Sequence, residues 1–274
     1  MKKYHLVVIF ISVVHFVYGQ DKLDTIFTSN KVIPCEITEI TPEAIKFTYP
    51  GESLANSMYK NRIHKIVFKS GRIETFASST SYKDVKSGHD WGDVSITSVE
   101  SEVRGLFKLD EVSAKAKGTT VYANMNKVKD RAYKKFKIEA GMNAANIVYV
   151  VNQEVAGNKT GYLSSSSAET NLSGVAYSTK IPDFKKFSEK IDGKDEYFLT
   201  EIDELGNNDT EMKIKSINPK QVKISSCQNK NGLIYVTSFM PKVDETEFRV
   251  TYFDEDYIVL MYRDSKKIYN LILK

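Results

Sequence analysis

The chain has 274 residues, 41% of them hydrophobic and 27% charged, with a formal net charge of +4. That length supports more than one core, and the basic and acidic residues are interspersed, as in Lys185-Lys186-Phe187-Ser188-Glu189-Lys190, so no basic stripe of the nucleic-acid-binding kind is present. Two cysteines and four histidines exclude a dense disulfide framework and give no paired metal-ligand spacing.

The most legible stretch is the first nineteen residues. Lys2 and Lys3 precede an almost unbroken apolar run from Leu6 to Val17, which ends in Tyr18-Gly19 before Gln20-Asp21-Lys22. A basic start, a short apolar middle and a small residue at the exit are the parts of a secretory signal peptide, whereas a spanning helix needs about 20 apolar residues. The expectation is an exported protein, secreted or periplasmic or associated with an outer membrane. No cysteine follows the exit site to take a lipid, and no later segment is apolar enough to span a bilayer. The boundaries read from the pattern are 1–19 for the leader, 20–76 for a small β-domain, 77–94 for a linker, 95–180 for an α/β domain, 181–194 for a connector and 195–274 for an antiparallel meander. The fold class expected is α+β, mostly β.

In the first module, alternation of period two runs through Thr25-Ile26-Phe27, Val32 to Ile40, Ala44 to Tyr49, Ile63 to Phe68 and Arg72 to Phe76. It is broken at Ser29-Asn30-Lys31, Thr41-Pro42-Glu43, Pro50-Gly51-Glu52 and Ser70-Gly71. These are strands and turns, and five strands in this space predict a small antiparallel sheet or an SH3-like or Sm-like barrel. With Asp24, Glu39-Ile40-Thr41 and Gly71-Arg72-Ile73-Glu74 in place, the module resembles a short β-unit found at the start of exported proteins of Bacteroidetes, a resemblance that implies an address more than an activity. Cys35 alternates with Ile33 and Ile37 and suits a small core position. A bridge from Cys35 to Cys227 is allowed by an oxidising compartment but requires the two modules to meet at close range.

Residues 77 to 93 lack periodicity and are rich in Ser, Asp and Gly, the composition of a linker. They carry the single tryptophan, Trp91, flanked by His89, Asp90 and Asp93. Two readings stand for it: a contact for a partner, or an aromatic tucked against a neighbouring module.

The third stretch holds the one convincing helix. Val128, Ala132, Phe136 and Ala140 recur every four residues, with Lys129, Lys134, Lys135 and Lys137 marking the wet side and Asn126 as N-cap. Strands are expected at Glu102 to Val112, Thr119 to Ala123, Ile147 to Val151 and Gly174 to Tyr177, giving one helix on one sheet. Ala132-x-x-x-Phe136-x-x-x-Ala140, then Ala145-Asn146-x-Val148 and a closing Gly174-Val175-Ala176-Tyr177 resemble the YbjQ-like and Rcs-pathway outer-membrane stress-sensor lipoprotein fold. The cysteines of that sensor are missing from this module, so neither its disulfides nor its anchoring carries over. The resemblance implies an envelope-associated interaction domain; Tyr177 within it and Trp91 in the linker are the candidate contact residues.

The polar hairpin that follows contains Ser164-Ser165-Ser166-Ser167 without a G-x-S-x-G or S-x-x-K context, so it reads as a loop tip. Asn158, Asn171 and Asn208 open N-x-S/T sequons that matter only in a eukaryotic secretory route. Beyond Ile181-Pro182 and a helical stretch from Asp183 to Lys190, seven short strands are expected: Glu196 to Ile202, Glu211 to Ile217, Gln221 to Ser226, Leu233 to Phe239, Glu247 to Phe253, Tyr257 to Tyr262 and Ile268 to Leu273. Asn231-Gly232 is a strong hairpin signal. Such a meander closes into a barrel or folds as a sandwich, with Phe198, Ile214, Tyr235, Phe248, Tyr252, Val259 and Met261 filling its core or lining a cavity for a small apolar ligand.

Asp203-Glu204 and Asp254-Glu255-Asp256 fall at expected turns and read as solvated acids rather than a catalytic pair. His64 and His89 are the histidines left after the leader, too few for a paired ligand motif. No catalytic, cofactor or metal residues are therefore expected. The function expected is that of a non-enzymatic envelope protein with a protein-interaction or adaptor role, its partner an envelope protein rather than nucleic acid. The alternatives are a carrier of a small apolar ligand in the C-terminal barrel and an enzyme without a recognisable motif.

Overall fold

The structure, a computed structural model, describes residues 22–28, 31–76, 82–160, 165–194, 196–241 and 243–274. The leader expected at 1–19 lies outside the described residues. Three sheets organise the chain, and strand dominates over helix.

The first sheet is antiparallel, with order β4-β3-β2-β1-β5-β6. Its strands are β1 (Asp24–Thr28), β2 (Val32–Ile40), β3 (Ala44–Thr48), β4 (Asn56–Tyr59), β5 (Ile63–Val67) and β6 (Ile73–Thr75). One strand more is present than the alternation announces, because β4 (Asn-Ser-Met-Tyr) carries little apolar periodicity. The inward set, Ile26, Ile33, Cys35, Ile45, Phe47 and Ile66, forms one core. Asp24 is buried as well, and its carboxylate accepts from the backbone N–H groups of Ile37 (3.0 Å) and Lys69 (2.8 Å), tying the start of β1 to the strands on either side.

The second sheet has order β7-β9-β10-β8. It comprises β7 (Ser95–Thr97), β8 (Phe107–Lys117), β9 (Ile147–Ala156) and β10 (Glu169–Ser178); β7 runs parallel to β9 while the other pairings are antiparallel. A one-turn helix α1 (Glu100–Val103) precedes β8, and α2 (Met125–Met142) covers the sheet. Residues 119–123 are turn rather than strand, and the N-cap of α2 is Asn124, not Asn126: the Asn124 side-chain oxygen accepts from the Lys127 N–H at 3.2 Å.

The third sheet is antiparallel with order β12-β11-β17-β16-β15-β14-β13. Its seven strands match the seven expected: β11 (Tyr197–Gly206), β12 (Lys213–Val222), β13 (Ile224–Lys230), β14 (Leu233–Ser238), β15 (Glu247–Phe253), β16 (Ile258–Asp264) and β17 (Lys267–Leu273). β12 and β13 are halves of a single strand bent at Lys223. Val222 pairs with Tyr197 at one edge of the sheet and Ile224 with Ser238 at the other, so the sheet wraps round onto itself through that strand. The helix α3 (Phe184–Ile191), capped by Asp183 at 3.1 Å, drives Phe187 into the enclosed core beside Leu199, Phe248, Leu260 and Leu271.

The helix α2 is buried on two sides. Val128, Ala132, Phe136 and Ala140 face the second sheet. Ile138 and Met142, turned well away from that stripe, pack on Leu205, Met261 and Ile268 from the outer face of the third sheet. Lys135 is therefore not on a wet side: it is buried, and its ammonium donates to the carbonyls of Gly206 and Asn207. Polar contacts complete this seam, with Arg249 and Asn270 buried within it and Arg263 exposed at its rim. Arg263 pairs with Asp110 and Glu139, each at 3.0 Å, Arg249 donates to Asn143 Oδ1 (2.6 Å) and Leu109 O (3.1 Å), and Asn270 donates to Met142 O (2.9 Å). Each element that crosses the seam thus closes backbone or carboxylate acceptors that burial would otherwise leave unpaired. The first sheet attaches more lightly, through Asn61 donating to the carbonyls of Glu102 and Arg104 and through the exposed pair Arg104–Glu43.

Candidate functional site

Three features of this frame could serve a function. The first is an open strand edge. β9 is ten residues long, but its neighbour β7 covers only Ile147 to Tyr149. From Val150 to Ala156, β9 has β10 on one side and no strand on the other among the described residues. Residues 151 to 156 are all exposed, with Val151 63% and Val155 42% accessible. Exposed edges are usually blunted with lysine, proline or several charges; this one, Val-Val-Asn-Gln-Glu-Val-Ala, has a single carboxylate at Glu154. Tyr133 of α2 holds Gln153 through its hydroxyl at 2.7 Å and steadies the strand from the helix side.

The second feature is a cleft of about 660 Å³ where the three modules meet, lined by residues that include Lys31, Asp84, Phe107, Lys180, Phe184 and Tyr252. Lys180 and Asp84 form an ion pair across it at 2.6 Å. The lining mixes charges with half-buried aromatics and does not resemble the largely apolar wall of a hydrophobic-ligand site. Nearby, Lys86 lies over the Tyr252 ring at 5.0 Å and within 3.7 Å of Asp254. Asp254 itself closes its own turn, accepting from the N–H groups of Asp256 and Tyr257 and from the Tyr252 hydroxyl.

The third is a cluster of His89, Glu201 and Asp203. Between Leu199 and Glu201 the pairing of β11 with both neighbours slips, marking a bulge at Thr200. Tyr197 and Leu199 point into the enclosed core; after the bulge, Glu201, Asp203 and Leu205 point outward, toward α2 and the 3-10 turn Gly88–Asp93. Bulges re-aim side chains in this way. His89 enters from that turn, started by the Ser87 hydroxyl, which accepts from the His89 N–H. Its Nε2 stands 3.2 Å from Glu201 Oε1 and 3.0 Å from Asp203 Oδ2, and the three donor atoms lie within 4.8 Å of one another. Asp203 is fully buried, and neither of its oxygens accepts a well-formed hydrogen bond. Burial, reinforced by Glu201 and opposed by His89, pushes its carboxyl up to about 6. The next residue behaves oppositely: Glu204 receives Lys267 (2.8 Å) and Lys215 (2.9 Å), which hold its carboxyl down to about 2. Asp203 and Glu204 are therefore strand residues of β11, Asp203 facing the seam and Glu204 the opposite side, not the solvated turn acids expected. Their apolar alternation stops because the outer face of β11 has a partner there.

Trp91 packs half-buried against the seam cluster, with the Lys134 ammonium over its ring at 5.3 Å. Tyr177 lies on β10 against Ile147, Val103 and Leu106. The two are not in one cluster. The cysteines are free and unbridged: Cys35 is buried in the first sheet, and Cys227 sits half-buried on β13, 3.5 Å from the Ser188 hydroxyl. Each belongs to a different core, so the bridge expected as allowed does not form. In the serine loop, Ser164 lies outside the described residues, and Ser166 pairs its backbone with Lys159. No described helix is long and apolar enough to cross a membrane. Comparison of the chain with protein-family models, with curated proteins and with solved structures finds no match.

Proposed function

We propose that this is an exported, non-enzymatic envelope protein that binds another protein by adding a strand to the open edge of β9. The observation that carries the reading is the seven-residue run Val150 to Ala156, unpaired on one side and nearly uncharged. Main-chain groups on such an edge bind an extended segment, and the side chains to either side select it. The welded second and third modules supply a rigid base for the strand. A carrier role for the third sheet is less well supported, because Phe187, Leu199, Phe248, Leu260, Leu271 and their neighbours fill the space it encloses.

The test is a photo-crosslinking residue at Gln153 in cells that make the protein, with a probe at the exposed Lys185 as control. A discrete crosslinked partner, lost when Val151 and Val155 are both replaced by lysine, supports the reading. Equal crosslinking from both probes, or none from Gln153, overturns it, and a product of twice the chain mass identifies a second copy as the occupant instead.

A further inference from the structure

We propose that His89, Glu201 and Asp203 bind a first-row divalent transition-metal ion, and that the ion ties the Gly88–Asp93 turn to β11. The proposal is independent of the strand-edge reading. Three observations combine. The donor set is one imidazole nitrogen and two carboxylate oxygens converging from two elements. The separations from Nε2, 3.0 and 3.2 Å, are close to the roughly 3.3 Å expected between ligands held at ~2.0–2.1 Å from a tetrahedral Zn²⁺. And Asp203, with no exposed surface, aims a carboxylate into the cluster without a well-formed hydrogen bond to either oxygen, a group whose burial is costly unless a cation meets it.

The ligand chemistry decides the class of ion. Imidazole favours zinc and its first-row neighbours, whereas calcium and magnesium favour all-oxygen sets with more ligands than three. Asp203 sits at the base of the site and Glu201 and His89 at its mouth, 28% and 40% of their side chains exposed. The remaining coordination position thus faces solvent and is open to water or to an acidic group of another molecule. The bulge at Thr200 has a purpose in this reading: without it, Glu201 and Asp203 would fall on the core face shared by Tyr197 and Leu199.

The experiment titrates Zn²⁺ into the purified, untagged, chelator-stripped chain by calorimetry, with thermal unfolding and the His89 ring proton resonances followed in parallel. One ion per chain, a Tm that climbs with free Zn²⁺, a shift of the His89 resonances, and a loss of affinity of about tenfold or more in both Glu201→Gln and Asp203→Asn are expected. Asp203→Asn conserves shape and removes a buried charge, and Glu201→Gln alters a partly exposed position, so at least the second variant folds and decides the matter alone if the first does not. No saturable binding, affinity equal to the parent in Glu201→Gln, or preference for Ca²⁺ or Mg²⁺ over Zn²⁺ overturns the proposal and leaves His89 and Asp203 as a simple ion pair.

Discussion

Gly174 is where β10 passes beneath α2, and replacing it with alanine tests the packing of the second module directly. A Cβ placed there would lie 2.3 Å from Tyr149 O on the neighbouring strand and 2.9 Å from the tip of the Phe136 ring. Both distances are below any real Cβ contact, but they differ in kind. The Phe136 ring can tilt. The Tyr149 carbonyl is fixed in β9, next to a slip in the β9–β10 ladder at Ser173/Gly174, and can yield only by opening the pairing. Overpacking of this sort costs about 1–3 kcal/mol when side chains absorb it, and a backbone clash places the change at the upper end or beyond. Alanine recovers only about 0.4–1 kcal/mol by restricting the unfolded chain. The net expectation is a loss of about 2–3 kcal/mol in urea unfolding, followed by the fluorescence of Trp91, which sits in the seam between α2 and the third sheet. Shortening the ring as well, in Gly174→Ala/Phe136→Leu, is expected to restore little, since the carbonyl clash persists. A loss under about 0.5 kcal/mol, within the range of an ordinary surface change, or full rescue by the second substitution, would refute the account of why glycine occupies this position.

Further outcomes follow from other contacts. Asn124→Ala removes the cap of α2 and is expected to lower stability by about 1 kcal/mol, measured in the same urea assay, whereas Asn126→Ala, inside the first turn, changes it by far less. Phe187→Ala empties the space that α3 fills in the third sheet and should cost about 3–5 kcal/mol, accompanied by binding of an apolar dye that the parent protein excludes. Thiol labelling is expected to modify Cys227 in the native protein and Cys35 only on unfolding, because burial first and Asp24 second push the Cys35 thiol up to about 11 and keep the nucleophilic thiolate scarce; mass spectrometry after timed labelling reads the two sites separately.

The strand content of the first and third modules was legible because one face of most strands meets a core and the other meets water, the exceptions being β15 to β17 and the end of β11, buried on both faces. Val32 to Cys35 and Leu233 to Ser238 carry that alternation plainly, and Asn231-Gly232 marks its hairpin with both residues at positive φ. β4 was hidden because its four residues, none of them fully buried, lie at an edge and need no apolar alternation. The candidate cation cluster was hidden for a different reason. His89 and Asp203 are more than a hundred positions apart, and Asp203-Glu204 has the composition of a turn; only the bulge at Thr200 and the approach of the 88–93 turn bring the three donors to one place.

The helix shows where local pattern ends and tertiary structure takes over. The sequence by itself determined that residues around Val128 to Ala140 form a helix with one apolar stripe, since Val, Ala and Phe recur every four residues while Asp130 and Lys134 interrupt the face that a strand would share. It did not determine that the opposite side is also buried. Lys135 and Glu139 interrupt Ile138 and Met142 there, and a lysine in a helix reads as solvated until a chain segment brings acceptors to it. Those partners, the Gly206 and Asn207 carbonyls that accept from Lys135 and the Arg263 guanidinium that donates to Glu139, belong to segments more than sixty residues away. Burial of a charge depends on partners that only the folded chain assembles, so the seam that joins the second and third modules, and the cation cluster on its margin, were decided by the tertiary structure alone.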